Sequence, residues 1–238
     1  MRAKPGWYML GLVLLYALVM TLAWRAERQQ VAALRTEVAR IRDSLQRGPE
    51  GLMLPLIGAC LPKDRANLPG APRKYRQGVN QGFVFTDGSS CVPVVYGTGV
   101  VAAGGGEVVK LERDYRELTL AEFEALLKAV EKGATPAQLD RLRGREIWIR
   151  HPDGSTTVYA HLSAIAPGLE VGSKVTKGQF IGQVGNSGTL NGVRGSRAGA
   201  RLLFELWEGT PGESRFFGQG IASPELLLAQ AKQRFDLP

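Results

Sequence analysis

The sequence is poor in the residues that most often hold metals or build covalent frameworks. Among 238 residues there are two cysteines, Cys60 and Cys91, and two histidines, His151 and His161. Two cysteines exclude a disulfide-rich scaffold, and they lack the C-x-x-C spacing of zinc and redox sites. No H-E-x-x-H spacing is present, so a helical zincin site is excluded. Zinc-finger, helix-turn-helix and aromatic-basic RNA-binding patterns are also missing, which ranks nucleic acid lowest among anionic partners despite a formal net charge of +8. The charge suits phospholipid or wall polymer, or simply the solubility of a basic surface. The cysteines fit either one bridge or two buried thiols. In an oxidising compartment a bridge would close a loop of about 30 residues, for roughly 3 kcal/mol in the chain-entropy model.

Long apolar runs are missing too, with one exception. From Trp7 to Trp24 the chain reads WYMLGLVLLYALVMTLAW, without a charge. At 1.5 Å rise per residue this run nearly spans a bilayer core of about 30 Å. Trp7, Tyr8 and Trp24 stand at its ends, Arg2 and Lys4 precede it, and Arg25 and Arg28 follow. No A-x-A-like cleavage site ends the run. The expectation is an uncleaved transmembrane helix at 7–24 behind a cytoplasmic segment 1–6. Val31, Leu34, Val38, Ile41 and Leu45 then recur at spacings of three and four. That pattern predicts a helical stalk at 25–48, either solvated or paired in a short coiled coil. Gly48, Pro49 and Gly51 end it.

Beyond residue 52 short apolar runs alternate with many of the 30 glycines, the pattern of a mainly β domain over 52–238. Pro152-Asp153-Gly154-Ser155 reads as a hairpin with a primed turn. Residues 118–142 carry apolar residues at helical spacing and read as an inserted helical pair. Thr119 with Glu122 and Thr135 with Pro136 are its start signals. Ser223-Pro224-Glu225 opens a last helix at 224–234.

The stretch REIWIRHPDGSTTVYAHLS, followed by VGSKVTKGQFIGQVGNSG, resembles the strand, hairpin, Tyr-x-His-Leu-Ser and Gly-Gln-x-Ile-Gly signature of the lysostaphin/LytM-type peptidoglycan metallo-endopeptidases. RQGVN at 76–80 stands where that family has His-x-Gly-x-Asp, and ARLLFEL at 200–206 where it has His-x-His-Phe-Glu. The resemblance implies a two-layer antiparallel β fold with a groove floored by a zinc site.

A catalytic zinc takes three protein ligands and keeps an open position for water. The resemblance places Arg76, Asn80 and Leu203 at the ligand positions, and His161 and Arg201 at the two flanking histidines. Arginine offers no lone pair, leucine has no donor atom and asparagine is a poor substitute for a carboxylate. The expectation is therefore no zinc, no cofactor and no catalysis, with His161 fixed by hydrogen bonds between strands and His151 serving a turn. Arg76 and Arg201 would suit a carboxylate ligand in the groove. Arg194 and Arg197 lie in a glycine-rich loop, 189–200, that either covers the groove or forms mobile surface. What the resemblance implies for a member without ligands is a cell-envelope binding or regulatory module. Such a module would be held in the bacterial cytoplasmic membrane with its C-terminal domain outside, meeting peptidoglycan or an envelope hydrolase, with homodimerisation possible through the stalk. An active peptidase with an atypical site, and a structural oligomer, are the alternatives.

Overall fold

The computed structural model describes residues 5–47, 51–73, 78–209 and 214–238, less the side chains of 5–15, 37 and 39–47. The chain forms two compact units, Met1–Ser44 and Leu45–Pro238.

The first unit is part of one continuous helix, α1, Pro5–Arg47. Its apolar residues Leu18, Val19, Met20, Leu22 and Trp24 are all about half exposed, so this stretch is apolar around its whole circumference rather than along one stripe. Among the described residues no helix is long and apolar enough to cross a membrane. The span expected at 7–24 falls half outside them, because the side chains of 5–15 are not described. Farther along α1, Val31, Leu34 and Val38 are exposed, while Ile41 and Leu45 of the expected seam lie outside the described side chains.

The second unit is built on antiparallel strands, as the spacing of its glycines and apolar runs predicts. In chain order they are β1 (Pro72–Arg73), β2 (Gly78–Val79), β3 (Phe83–Thr86), β4 (Gly99–Val101), β5 (Gly106–Leu111), β6 (Ile147–Arg150) and β7 (Thr156–Ala160). These are followed by β8 (Leu162–Ile165), β9 (Lys174–Val175), β10 (Phe180–Val184), β11 (Arg201–Glu208) and β12 (Arg215–Phe216). The large sheet runs β12-β11-β7-β6-β5-β9, with β3 also paired to β11; the small sheet runs β4-β10-β8. Residues from both sheets share one core, including Phe85, Val100, Ile149, Tyr159, Ile181, Val184 and Phe204. This is the two-layer arrangement expected.

Helices α2 (Leu120–Ala129) and α3 (Pro136–Arg143) form the insertion, and each starts with a full capping box, Thr119 with Glu122 and Thr135 with Gln138. They bury a separate small core of Phe123, Val130, Ala134, Leu139 and Leu142. A single helical turn, α4 (Leu190–Val193), follows β10. The last helix, α5 (Pro224–Arg234), starts at the Ser223 cap and buries Leu227 and Ala231 in the main core. Phe235, just beyond it, stacks against Phe83 and Phe204 with ring centroids 5.8 Å apart in both pairs. A disulfide joins Cys60 to Cys91, pinning the segment before β1 to the loop after β3.

The turn at 152–155 departs from the expected primed type. Only Gly154 has positive φ, and its N–H donates to the His151 carbonyl at 3.0 Å. Asp153 instead takes the Ser155 N–H and hydroxyl on its carboxylate, which holds the turn without a second positive φ.

Candidate functional site

Side chains of a strand alternate between faces. Along β11, Leu202, Phe204 and Leu206 enter the main core, so Arg201, Leu203, Glu205 and Trp207 line the opposite face, where the resemblance puts the floor of the groove. The cross-strand register then places Ala160 beside Leu203, Val158 beside Glu205 and Thr156 beside Trp207. One strand farther on, Trp148 lies beside Val158 and Arg150 beside Thr156.

At one end of this floor Leu203 is buried, and it packs with Val84 of β3 and Ala160 of β7 in an apolar trio of its own. Asn80 is 1% exposed. Its Nδ2 donates to the Leu68 carbonyl at 3.0 Å and the Gly82 carbonyl at 2.6 Å, and its backbone pairs with Gly70 and Ala71. These bonds make Asn80 a clasp between the segments that flank the β1–β2 pair, 68–71 and 82. Arg76 lies outside the described residues. The residues at the positions the resemblance gives to zinc do not fit the ion. Leucine presents only carbon, and Asn80 offers a neutral amide, its Nδ2 held by two carbonyls, where a carboxylate is wanted.

His161 sits between β7 and β8 with φ 65°. Its N–H donates to the Arg143 carbonyl at 2.8 Å, and its Nδ1 lies 2.9 Å from the Ser187 carbonyl. A carbonyl only accepts, so in the neutral ring Nδ1 carries the proton and Nε2 is the acceptor. His161 thus ties the end of the insertion, through its backbone, to the loop after β10, through its ring. Gly144 permits this closeness, since a Cβ there would meet the Ser187 backbone at 2.4 Å.

Arg201 is half buried, and its Nε donates to the Gly199 carbonyl at 3.1 Å. With Arg197, Asp87 and Tyr96 it borders a cavity of about 420 Å3. Arg197 rests over the Tyr96 ring at 5.1 Å, whereas Arg194 is simply exposed. The loop that carries these arginines is not a loose surface segment. Asn186 Nδ2 donates to the Ser196 and Ala198 carbonyls at 2.7 and 2.9 Å and holds the loop closed.

The other end of the floor carries charge that sequence reasoning missed. Arg143, from the last turn of α3, donates through Nη2 to Glu205 Oε2 at 2.8 Å, with both side chains almost fully buried. Lys110 of β5 reaches Asp140 and Glu146, each at 2.7 Å. Burial pulls the Lys110 ammonium down, but the two carboxylates outweigh it and hold its pKa above the ordinary value. For Glu146 burial wins over Arg143 and Lys110, and its pKa is raised. Glu146, just before β6, and Trp148 and Arg150 within it alternate along the chain, which is the one signal in the sequence that they share a face.

His151, expected to serve a turn, is buried. Its Nδ1 lies 2.8 Å from the Gly105 carbonyl and its Nε2 3.0 Å from Thr157 Oγ1, which in turn is 3.1 Å from Tyr159 OH. Burial lowers its pKa against the opposing pull of Gly105 and Asp153. Among the described residues no group of three His, Cys, Asp or Glu side chains is placed to hold a metal ion.

A profile described as Peptidase family M23 matches residues 90–214 of the chain. No curated protein matches. Among solved structures, a zinc containing peptidase from Vibrio cholerae is 18% identical over 66% of this chain and 36% of its own, with TM-score 0.42. A variant catalytic domain of the prophage-encoded M23 protein EnpA from Enterococcus faecalis is 18% identical over 72% of this chain and 98% of its own, with TM-score 0.40. The SpoIIQ-SpoIIIAH pore forming complex supplies a chain 19% identical over 71% and 89%, with TM-score 0.39. The chain spans about a third of the length of the first structures it matches, 36% and 32%.

Proposed function

Because the chain belongs to peptidase family M23, matched over residues 90–214, we propose that it is a non-catalytic member whose groove is kept for binding. The observation that carries this reading is Leu203. It occupies the ligand position on β11, and it is buried against Val84 and Ala160 where a donor atom would have to stand. Asn80 supports the same reading, since it puts a neutral amide, its Nδ2 held by the Leu68 and Gly82 carbonyls, in place of a carboxylate. The cavity beside Arg197 and Arg201 suits a ligand with a carboxylate, such as a peptide of the wall or the tail of an envelope protein. Recruiting peptidoglycan, or a hydrolase that acts on it, is the role we assign to the unit Leu45–Pro238.

We further propose that α1 anchors this unit in the bacterial cytoplasmic membrane and leaves it outside the cytoplasm. Support comes from the uncharged run Trp7 to Trp24 and from apolar side chains exposed all round the helix at residues 18–24, which need a non-aqueous neighbour. Exposed Val31, Leu34 and Val38 suit pairing with a second copy. The test is direct. The unit Leu45–Pro238 should release no product from purified peptidoglycan yet sediment with it, or retain an envelope hydrolase. Metal-dependent cleavage that disappears in His161→Ala overturns the proposal, and so does failure to bind both wall and hydrolase.

A further inference from the structure

Between α3 and the far end of the groove floor lies a cavity of about 450 Å3, bordered among others by Gln81, Asp140, Arg143, Trp148, Arg150 and Trp207. Its size is that of a small-molecule site. It uses none of the positions that the family gives to zinc, and one of its walls is the inserted helix α3.

Three features define what it accepts. Gln81 is only 7% exposed, and its Oε1 has no hydrogen-bond partner among the described residues, so it calls for a donor from a ligand. The buried charges are already compensated: Lys110 is shared by Asp140 and Glu146, and Arg143 is paired with Glu205. With three carboxylates facing Lys110, Arg143 and the exposed Arg150, the wall is near electrical balance, which disfavours a polyanion. The third feature is aromatic. Lys110 and Arg143 lie over the ring of Trp148, at 4.9 and 5.3 Å from its centroid. Trp207 is partly exposed and held rigidly, its Nε1 donating to Glu205 Oε2 at 2.9 Å and its ring set edge-on to Phe216 at 6.2 Å.

A fixed indole, an unsatisfied acceptor and balanced charge suit a neutral ring with one C–H face and many hydroxyls. We propose that this cavity binds a neutral saccharide, packed on Trp207 and donating a hydrogen bond to Gln81 Oε1. Hydroxyl groups both donate and accept, so the remaining ring positions can meet Arg150 and Asp140 together. This goes beyond the non-catalytic reading of the groove and does not depend on it.

The unit Leu45–Pro238 contains the whole core from Leu52 to Phe235 and its disulfide, so it can be studied without α1. Trp148 and Trp207 are its only tryptophans, and both border the cavity, so its intrinsic fluorescence reports on this place. The unit is titrated with a trimer of N-acetylglucosamine, with maltotriose, and with a tripeptide bearing a free carboxylate. The expected result is a saturable fluorescence change with a saccharide, in the millimolar range. Gln81→Leu should weaken it roughly tenfold, the loss of about one hydrogen bond, and Trp207→Phe, checked as folded by its far-UV circular dichroism, should weaken it further. No saturable response to either saccharide overturns the proposal. So does a response to the tripeptide alone, or saccharide binding that both variants leave untouched. If a variant fails to fold, the titration of the unaltered unit still decides. Metal content and wall binding are read separately, so the two proposals fail independently.

Discussion

The two ends of the groove floor lie on one face of one strand, yet they are built on opposite principles. Around Leu203 the floor is apolar, three buried side chains from three strands with nothing polar to satisfy. Two residues on, Glu205 is equally buried but charged, held by Trp207 Nε1 and by an ion pair with Arg143, which comes from the inserted helix α3. The difference teaches that filling a polar site with carbon and burying charge under a new wall are separate solutions. The first needs one substitution and tolerates its neighbours. The second needs several groups in register, because a buried charge without its partner is costly.

The largest expected effect comes from breaking the second solution. Arg143→Ala leaves Glu205 buried without its principal cation, and urea denaturation of the unit Leu45–Pro238 should show a loss of about 4 kcal/mol. The pair Arg143→Met with Glu205→Leu should recover most of that loss, because no charge is stranded. If the double variant is as unstable as the single, the network stabilises in a way the comparison does not capture.

At the apolar end, Leu203→Ala should cost about 3 kcal/mol by the same measurement, the ordinary consequence of opening a cavity among packed side chains. Leu203→His should also destabilise, by about 2 kcal/mol, and should not recruit zinc in a metal-binding titration, since Asn80 offers a neutral amide in place of a carboxylate. Tight zinc binding by that single variant would mean the floor is still prepared for the ion.

The smallest effect is a pH dependence remote from both ends. Burial depresses the His151 pKa below its ordinary 6.5, so below that pH the unfolded chain binds a proton that the folded one resists. Stability is therefore retained above about 6.5 and falls as pH drops, by at most about 1.4 kcal/mol per pH unit from this group. Denaturation midpoints at pH 7.5 and pH 5.5 should show the fall, and His151→Gln should flatten it. The stability that Glu107, Glu122 and Glu225 contribute through their lowered pKa values is fully present above their ordinary 4.5 and is lost only in more acidic solution.

What the sequence made legible was local. The capping boxes at Thr119 and Thr135 and the Ser223 start of α5 are written within four residues, and each forms where its spacing places it. The strand alternation of β11 sorts Leu203 from Phe204 without any structure. The Arg143–Glu205 pair was not legible, because its members are 62 residues apart and meet only when the insertion folds back over the sheet. The same holds for the clasp by Asn186, which turned an apparently loose glycine-rich loop into a fixed one. The turn at 152–155 misled for a different reason, since Asp-Gly permits two positive φ angles but the Asp153 carboxylate made a single one sufficient.

The central claim is that Leu203 and Asn80 have removed the family's metal from this groove, and the most direct measurement is the metal content of the unit Leu45–Pro238. Purified without chelator and then offered zinc, it should carry no stoichiometric metal. One tightly bound zinc per chain, lost in His161→Ala, would contradict the account and make peptidoglycan hydrolysis the next assay.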